Sequence, residues 1–172
     1  MALVLVAATA ITSCEKAGSG DIEYIAPAGK LAGEWFVTVK DKAAPAVIVV
    51  NYRQISTFNS ANSGNELWIQ ASGATTGLTG LSSYGVKVRT TADANALTFS
   101  AKNGANILTT AGLAPTVNVL SGKVFKGAGK SLTGATVDSI YMEVEYSTKA
   151  GKTYIISGHQ RSGFPADQPA VK

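Results

Sequence analysis

The side chains that could do hydrolytic chemistry in this chain centre on His159, the only histidine in the sequence. Acyl transfer by a hydroxyl group needs a serine beside a base and a carboxylate that orients the base. Ser139 and Ser157 are the candidate nucleophiles, and Asp138 or Asp167 is the candidate orienting carboxylate. The sequence has no Gly-X-Ser-X-Gly elbow. A rim or packing role for His159 is therefore the leading interpretation. An enzymatic function is the less favoured interpretation of the chain.

A second candidate for acid–base chemistry is the pair Glu143 and Glu145. Residues two apart on a strand lie on the same face, roughly 7 Å apart. Two carboxylates can carry out glycoside hydrolysis at such spacings, but on a surface strand they more often serve as solvated charges. The sequence holds no cluster of His, Cys and Asp with metal-ligand spacing, so neither a metal nor another cofactor is predicted.

Composition bounds the class of protein. The chain has 172 residues with a net charge of +4, and only 15% of them are charged. Its lysines and arginines are scattered rather than clustered, which argues against nucleic-acid binding. With 18 glycines and 45% hydrophobic residues, the many short β-rich runs favour an all-β sandwich or barrel.

The N-terminal residues are typical of an exported chain. Met1 to Ser13 is apolar and uncharged, too short to span a membrane and of the length of a signal-peptide core. Cys14, the single cysteine, follows directly, and Ile11-Thr12-Ser13-Cys14 resembles a bacterial lipoprotein processing site. The resemblance implies acylation of Cys14. The alternative is an unmodified buried cysteine in a cytosolic protein.

These features predict three segments. Residues 1–13 form a signal peptide whose true start lies further upstream, since the expected basic residues are missing. Residues 14–30 form the acylated cysteine and a flexible tether, because the run is aperiodic and rich in Gly and Ala. Residues 31–172 form a single β domain. The predicted partner is the membrane, through acylated Cys14, and the predicted address is the bacterial envelope, at the outer membrane.

Period-two alternation predicts about eight strands and no helix. Eight antiparallel strands can close into a barrel whose interior is filled by side chains or holds one small apolar ligand. The predicted strands lie at 31–39, 46–58, 66–71, 84–90, 95–101, 117–127, 137–146 and 153–158. The segments 91–94 and 127–134 are predicted to be loops.

The inward phase of these strands supplies the candidate ligand-lining residues. An apolar interior suits a lipid or another apolar small molecule, but the same side chains could equally pack against one another. The candidates are Val37, Ile48, Val50, Tyr52, Phe99, Met142, Val144 and Tyr146.

Gly33-Glu34-Trp35, at the start of the first strand, is similar to the Gly-X-Trp signature of lipocalins and the wider calycin group. In that group a basic residue after the last strand packs across the tryptophan and closes the barrel base. The resemblance implies that Arg161 stacks on Trp35, in a contact of about 0.5–2 kcal/mol. Both residues are therefore predicted to be structural.

A closer resemblance involves Asn59-Ser60-Ala61-Asn62, Val137-Asp138-Ser139-Ile140-Tyr141 and Gly158-His159-Gln160-Arg161-Ser162-Gly163-Phe164. These runs look like a family of Bacteroidetes lipoproteins described as lipid-binding putative hydrolases with a calycin-like barrel. The chain departs from the usual acidic continuation at Pro165-Ala166. The resemblance implies an envelope-anchored lipid-binding barrel. A hydrolase that uses His159 is one alternative, and an adhesion or complex-subunit module that engages protein or glycan through exposed loops and Trp68 is another.

Overall fold

Eight antiparallel strands form one closed barrel in the computed structural model, which describes residues 26–62, 64–71, 81–108 and 111–170. This confirms the predicted fold class. Each strand pairs with the next along the chain, and the last strand closes on the first. The strands are β1 (Gly33–Asp41), β2 (Ala44–Asn59), β3 (Glu66–Ala71), β4 (Val86–Asp93), β5 (Thr98–Ala105), β6 (Thr116–Lys130), β7 (Thr136–Tyr146) and β8 (Thr153–Gln160).

The up-and-down order gives the barrel two distinct ends. The Trp35 end carries the start of β1, the β2–β3, β4–β5 and β6–β7 connections and the chain that follows β8. The Tyr154 end carries the β1–β2 and β7–β8 connections. The first strand therefore begins, and the last strand ends, at the Trp35 end.

Alternating side chains separate the barrel interior from its surface, most clearly on β7. Ile140, Met142, Val144 and Tyr146 are buried, while Tyr141, Glu143 and Glu145 between them are half-buried on the outside. This is the predicted phase. Apolar burial of this kind contributes roughly 1.5–3 kcal/mol for each large side chain.

Closure between β1 and β8 depends on a glycine. The register pairs Trp35 with Gln160, Phe36 with His159 and Val37 with Gly158. A Cβ atom added at Gly158 would collide with the Phe36 carbonyl oxygen and the Val37 Cα atom. Only glycine therefore lets the two backbones approach this closely.

Two segments that were predicted to be loops belong partly to strands. β4 continues through 91–93, and the chain turns at 94–97, where Leu97 takes a positive φ of 56°. β6 continues to Lys130 instead of ending near Gly127. Gly129 stays in this strand because its missing side chain leaves room for the Asp138 carbonyl oxygen, 2.7 Å from where a Cβ would lie.

Short 3₁₀ turns are the only helical elements in the described residues, at Pro27–Leu31, Ser82–Tyr84 and Pro165–Asp167. None of the described helical segments is long and apolar enough to cross a membrane. The first turn buries Ala28 and Leu31 against the barrel, although residues up to 30 were assigned to the tether. The predicted signal peptide and Cys14 lie outside the described residues.

Candidate functional site

Five of the eight predicted ligand-lining side chains lie in the barrel interior. There they pack with the other residues of the hydrophobic core. Val37, Phe99, Met142, Val144 and Tyr146 each keep at most 3% of their surface exposed. Side chains this deeply buried touch no water-sized space over most of their surface. A ligand could contact them only if neighbouring side chains moved, which a closely packed interior resists.

The other three candidates lie on β2, and only one of them, Val50, faces the core as predicted. Val50 packs, partly buried, against the core, whereas Ile48 is 52% exposed. Tyr52 lies against His159 on the outer face, with ring centroids 5.9 Å apart. The phase prediction is wrong for Ile48 and Tyr52 because β2 has three register irregularities against β1, and each one shifts the alternation.

The first half of β2 forms an exposed apolar stretch. Val47, Ile48 and Val49 are all exposed. Within the described residues, β3 pairs with β2 only over Ser56–Asn59, so the earlier part of β2 has one described neighbour. Nothing on this stretch carries a charge.

A cluster of three tyrosines closes the interior at the Tyr154 end. The rings of Tyr84, Tyr146 and Tyr154 meet edge to face, with centroids 5.0–5.8 Å apart. The Tyr146 hydroxyl donates to the Tyr84 carbonyl oxygen at 3.1 Å, and the Lys149 ammonium lies 4.5 Å from the Tyr84 ring. Burial raises the pKa of both Tyr146 and Tyr84, so both phenols stay neutral in the physiological range.

At the opposite end, Trp35 is completely buried and bound to its surroundings by a relay. Its indole N–H donates to Thr57 Oγ1 at 2.9 Å, and the Thr57 hydroxyl donates to the Leu31 carbonyl oxygen at 2.6 Å. Arg161 pairs instead with Glu34, Nη1 to Oε2, at 2.5 Å. The polar contacts of Arg161 and Trp35 therefore go to other residues. Stacking of Arg161 on Trp35 stays a prediction.

His159 lies in an aromatic cluster on the outer face of the barrel. Its ring is 6.0 Å from that of Phe36, and its buried Nε2 atom has no hydrogen-bond partner among the described residues. Ser139 is its register partner on β7. Burial lowers the pKa of His159, and the nearby Asp167 carboxylate opposes that shift.

The Asp167 carboxylate acts electrostatically on His159, but its own hydrogen bonds lie elsewhere. It accepts hydrogen bonds from the Ser162 hydroxyl at 2.5 Å and from the Thr133 backbone N–H at 2.7 Å. These donors hold its pKa well below the usual range. The other predicted carboxylate, Asp138, pairs with Lys126 at 2.7 Å. The register therefore brings Ser139 to His159, but no hydrogen-bonded triad is formed.

Glu143 and Glu145 are tied into the outer surface of the sheet. Glu143 accepts from Lys42 at 2.6 Å and from the Tyr141 hydroxyl at 2.7 Å, which lowers its pKa. Burial and the bond to Glu143 raise the pKa of Tyr141 to about 12. Glu145 accepts from Asn118 and Thr153 at 3.3 and 3.2 Å. A general acid needs a raised carboxyl pKa, so Glu143 is suited to cross-strand bonding rather than glycoside hydrolysis.

Trp68 points outward, which is the orientation that the adhesion alternative needs. It alternates with buried Leu67 and Ile69 and lies between Phe58 and Arg89 in the sheet. The Arg89 guanidinium carbon is 5.6 Å from the Trp68 ring centroid, and the Lys87 ammonium is 5.9 Å from it. The ring is thus flanked by two cations on the outer surface.

Sequence reasoning missed a groove on the outer face, which we call the β5 groove. It consists of three adjoining clefts of about 350, 320 and 180 Å³ that share Ser100 and run from β4 across β5 to β6. The middle of β5 carries the small residues Ser100 and Ala101, so this part of the strand forms a floor between its neighbours, with Lys102 beside it. No sequence signal marks the groove, since its serines, threonines and alanines are ordinary outward residues of strands. The groove is lined by Glu66, Arg89, Thr91, Ser100, Ala101, Lys102 and Leu120, among others.

Comparison with known proteins identifies the family. Residues 21–165 match the model of a family described as "Lipid-binding putative hydrolase". Comparison with curated proteins gives no match. Because the matched region covers most of the chain and includes all eight strands, the chain belongs to the family of lipid-binding putative hydrolases.

Proposed function

We propose that this protein binds a lipid in the bacterial cell envelope and is held at the outer membrane by acyl chains on Cys14. The observation that carries the proposal is the family match over residues 21–165, which includes every strand of the barrel. The apolar run that precedes the single cysteine supports the anchor. Each buried methylene of an acyl chain adds about 0.8 kcal/mol to membrane affinity, so two or more chains hold a protein firmly.

Native mass spectrometry tests lipid binding. The Cys14→Ala variant, expressed in its host and purified without detergent, should carry an additional mass that dissociates on activation and is identified as a lipid. The variant keeps all described residues and lacks the acylation site, so a lipid that dissociates from it is bound non-covalently rather than as the anchor. A spectrum of the bare protein alone would contradict the proposal.

Cell fractionation tests the anchor separately. The wild-type chain should sediment with membranes and incorporate labelled palmitate, whereas Cys14→Ala should do neither. Ser13→Ala is the matched control, because it keeps a small residue before the cysteine. A wild-type chain that incorporates no palmitate, or a Cys14→Ala chain that still incorporates it, would rule out the acyl anchor.

Hydrolysis of the bound lipid is a second candidate function, favoured by the register that sets Ser139 against His159. Serine and histidine side chains opposite each other on one face have Cβ atoms about 4.5–5.5 Å apart, within reach of a hydrogen bond. Esterase activity toward a short-chain nitrophenyl ester should then fall at least a hundredfold in both Ser139→Ala and His159→Ala. Activity that survives in either variant would rule out this chemistry at His159.

A further inference from the structure

The barrel wall has an open seam between β4 and β5. These strands pair at three positions near the Trp35 end, from Thr91–Ser100 to Asp93–Thr98. The next contacts lie towards the other end, where the Ile107 N–H donates to the Lys87 carbonyl oxygen at 3.0 Å. Between them, the described part of the wall has no ladder pairs joining residues 88–90 to 101–105. Strand edges left open in this way have backbone groups available to a ligand.

A bulge in β5 produces the seam. The register of β5 against β6 shifts on both sides of Ala101, and Asn103 takes a left-handed φ of 50°. Residues other than glycine rarely adopt this conformation, and such strain concentrates at binding sites. The Asn118 side chain holds the bulge by accepting the Asn103 N–H at 2.7 Å.

The cleft over the seam carries two cations and one carboxylate. Arg89 lies only loosely against Glu66, at 3.5 Å, while the Trp68 ring on its other side positions the guanidinium. Lys102 is exposed and forms no salt bridge within the described chain. The hydroxyls of Thr91 and Ser100 lie in the same cleft. Excess positive charge with hydroxyl donors suits an oxyanion such as a carboxylate or phosphate.

Beyond Ser100 the exposed surface of the groove is more apolar than polar. The two larger clefts share Leu120, which is 48% exposed, with Ala101 partly buried beside it, whereas Phe99 and Val119 beneath them belong to the buried core. Asp93 lies at the far edge, where its carboxylate accepts the backbone N–H groups of Asn95 and Ala96. The β5 groove therefore joins a cationic cleft to an apolar trough, a combination that matches a charged head and an alkyl chain.

We propose that the β5 groove, on the outside of the filled barrel, is the lipid site and that its ligand is a single-chain anionic lipid. The head oxyanion pairs with Arg89 and Lys102, and the chain lies across Ala101 and Leu120. This inference rests on the proposed lipid-binding function and states where and how it occurs. A fatty-acid carboxylate and a lysophospholipid phosphate present the same chemistry to the cleft, so the test includes both.

Titration calorimetry with dodecanoate, dodecyl phosphate and uncharged dodecanol on the Cys14→Ala chain separates the two halves of the groove. Arg89→Gln/Lys102→Gln should bind the two anions at least tenfold more weakly and dodecanol unchanged. Leu120→Ser should weaken all three. The preferred anion identifies the head class. Added salt should weaken the anions alone, since exposed ion pairs are screened.

The controls lie on exposed residues outside the groove. Lys123→Gln, also on β6, and Leu132→Ser, in the β6–β7 connection, should bind all three ligands like the parent chain. Melting curves must show that each variant is folded. Anion affinity unchanged in Arg89→Gln/Lys102→Gln would overturn the groove while a co-purified lipid would still support the function. A parent chain that binds no ligand and co-purifies none would contradict both.

Discussion

At the scale of single residues, the buried polar groups of this barrel differ in whether they have a hydrogen-bond partner. Trp35 has a relay through Thr57 to the Leu31 carbonyl oxygen, while His159 Nε2 has no partner among the described residues. Satisfied buried donors stabilise a fold only modestly, but removing a partner exposes the full desolvation cost of the group left behind. The Trp35 relay should therefore respond to loss of a hydrogen-bond partner, and His159 should respond to a change in pH.

Thr57→Val should destabilise the protein by about 1–3 kcal/mol, because it leaves the Trp35 N–H and the Leu31 carbonyl unpaired without altering the side-chain shape much. Urea unfolding followed by tryptophan fluorescence measures the loss. Thr148→Val, in an exposed turn, is the matched control and should lie within about 0.5 kcal/mol of wild type. Equal urea midpoints for Thr57→Val and wild type would show that the relay contributes nothing.

Stability should fall on acidification because burial lowers the pKa of His159 below its unfolded value of about 6.5. The unfolded chain then binds a proton that the folded chain does not, so this contribution is present above pH 6.5 and is lost as the pH falls towards the folded pKa. Urea midpoints from pH 7.5 to 5 measure it. His159→Phe should flatten the slope in this range, whereas Asp167, with its lowered pKa, acts only in stronger acid. A slope unchanged by His159→Phe would contradict this assignment.

At the scale of strands, alternation predicted the fold where the ladders are regular. β3 and the inward phase of β7 match the sequence prediction residue by residue. The predicted phase failed in the first half of β2, where three register irregularities against β1 shift the alternation. The predicted end of β6 was also wrong, because its glycines are typical of a loop. Bulges depend on pairing with a distant strand, so local sequence does not reveal them. The β5 groove could not be predicted for the same reason.

Gly158→Ala should weaken closure of the barrel, since its Cβ would meet the Phe36 carbonyl oxygen and the backbone of β1 would have to shift. Overpacking of this kind costs about 1–3 kcal/mol or more. Ser157→Ala, the neighbouring position, is the control. Thermal melts of both variants give the comparison, and a Gly158→Ala melting temperature at or above that of Ser157→Ala would mean that the strands have room to separate.

At the scale of the molecule, the barrel is complete only when the first and last strands pair. β1 contacts β8 along seven register pairs from Trp35 to Asp41. All strand pairs other than this one join neighbours along the chain, so closure is the step that costs the most loop entropy. The family match includes all eight strands, so the lipid-binding proposal applies to the closed barrel as a whole.

Refolding should therefore be slow for a chain of this size, on the millisecond-to-second scale seen for folds dominated by non-local pairing. Stopped-flow dilution from urea, monitored by fluorescence of buried Trp35, measures the rate. A variant that weakens β1–β8 pairing, such as Gly158→Ala, should change this rate if closure forms in the transition state. Refolding complete within microseconds would contradict rate-limiting closure.

The adjacency of β1 and β8 at the Trp35 end also sets the mechanical response of the barrel. The described chain enters β1 and leaves β8 at the same end, and the two strands run antiparallel. Tension applied to the N- and C-terminal segments would first pull the turns at Pro27–Leu31 and Pro165–Asp167 off the barrel and would then load the Glu34–Arg161 backbone bond and open the ladder one rung at a time. Unzipping needs far less force than shearing all rungs together. Once these two turns are released, the β1–β8 ladder should therefore yield readily when the ends of the barrel are drawn apart.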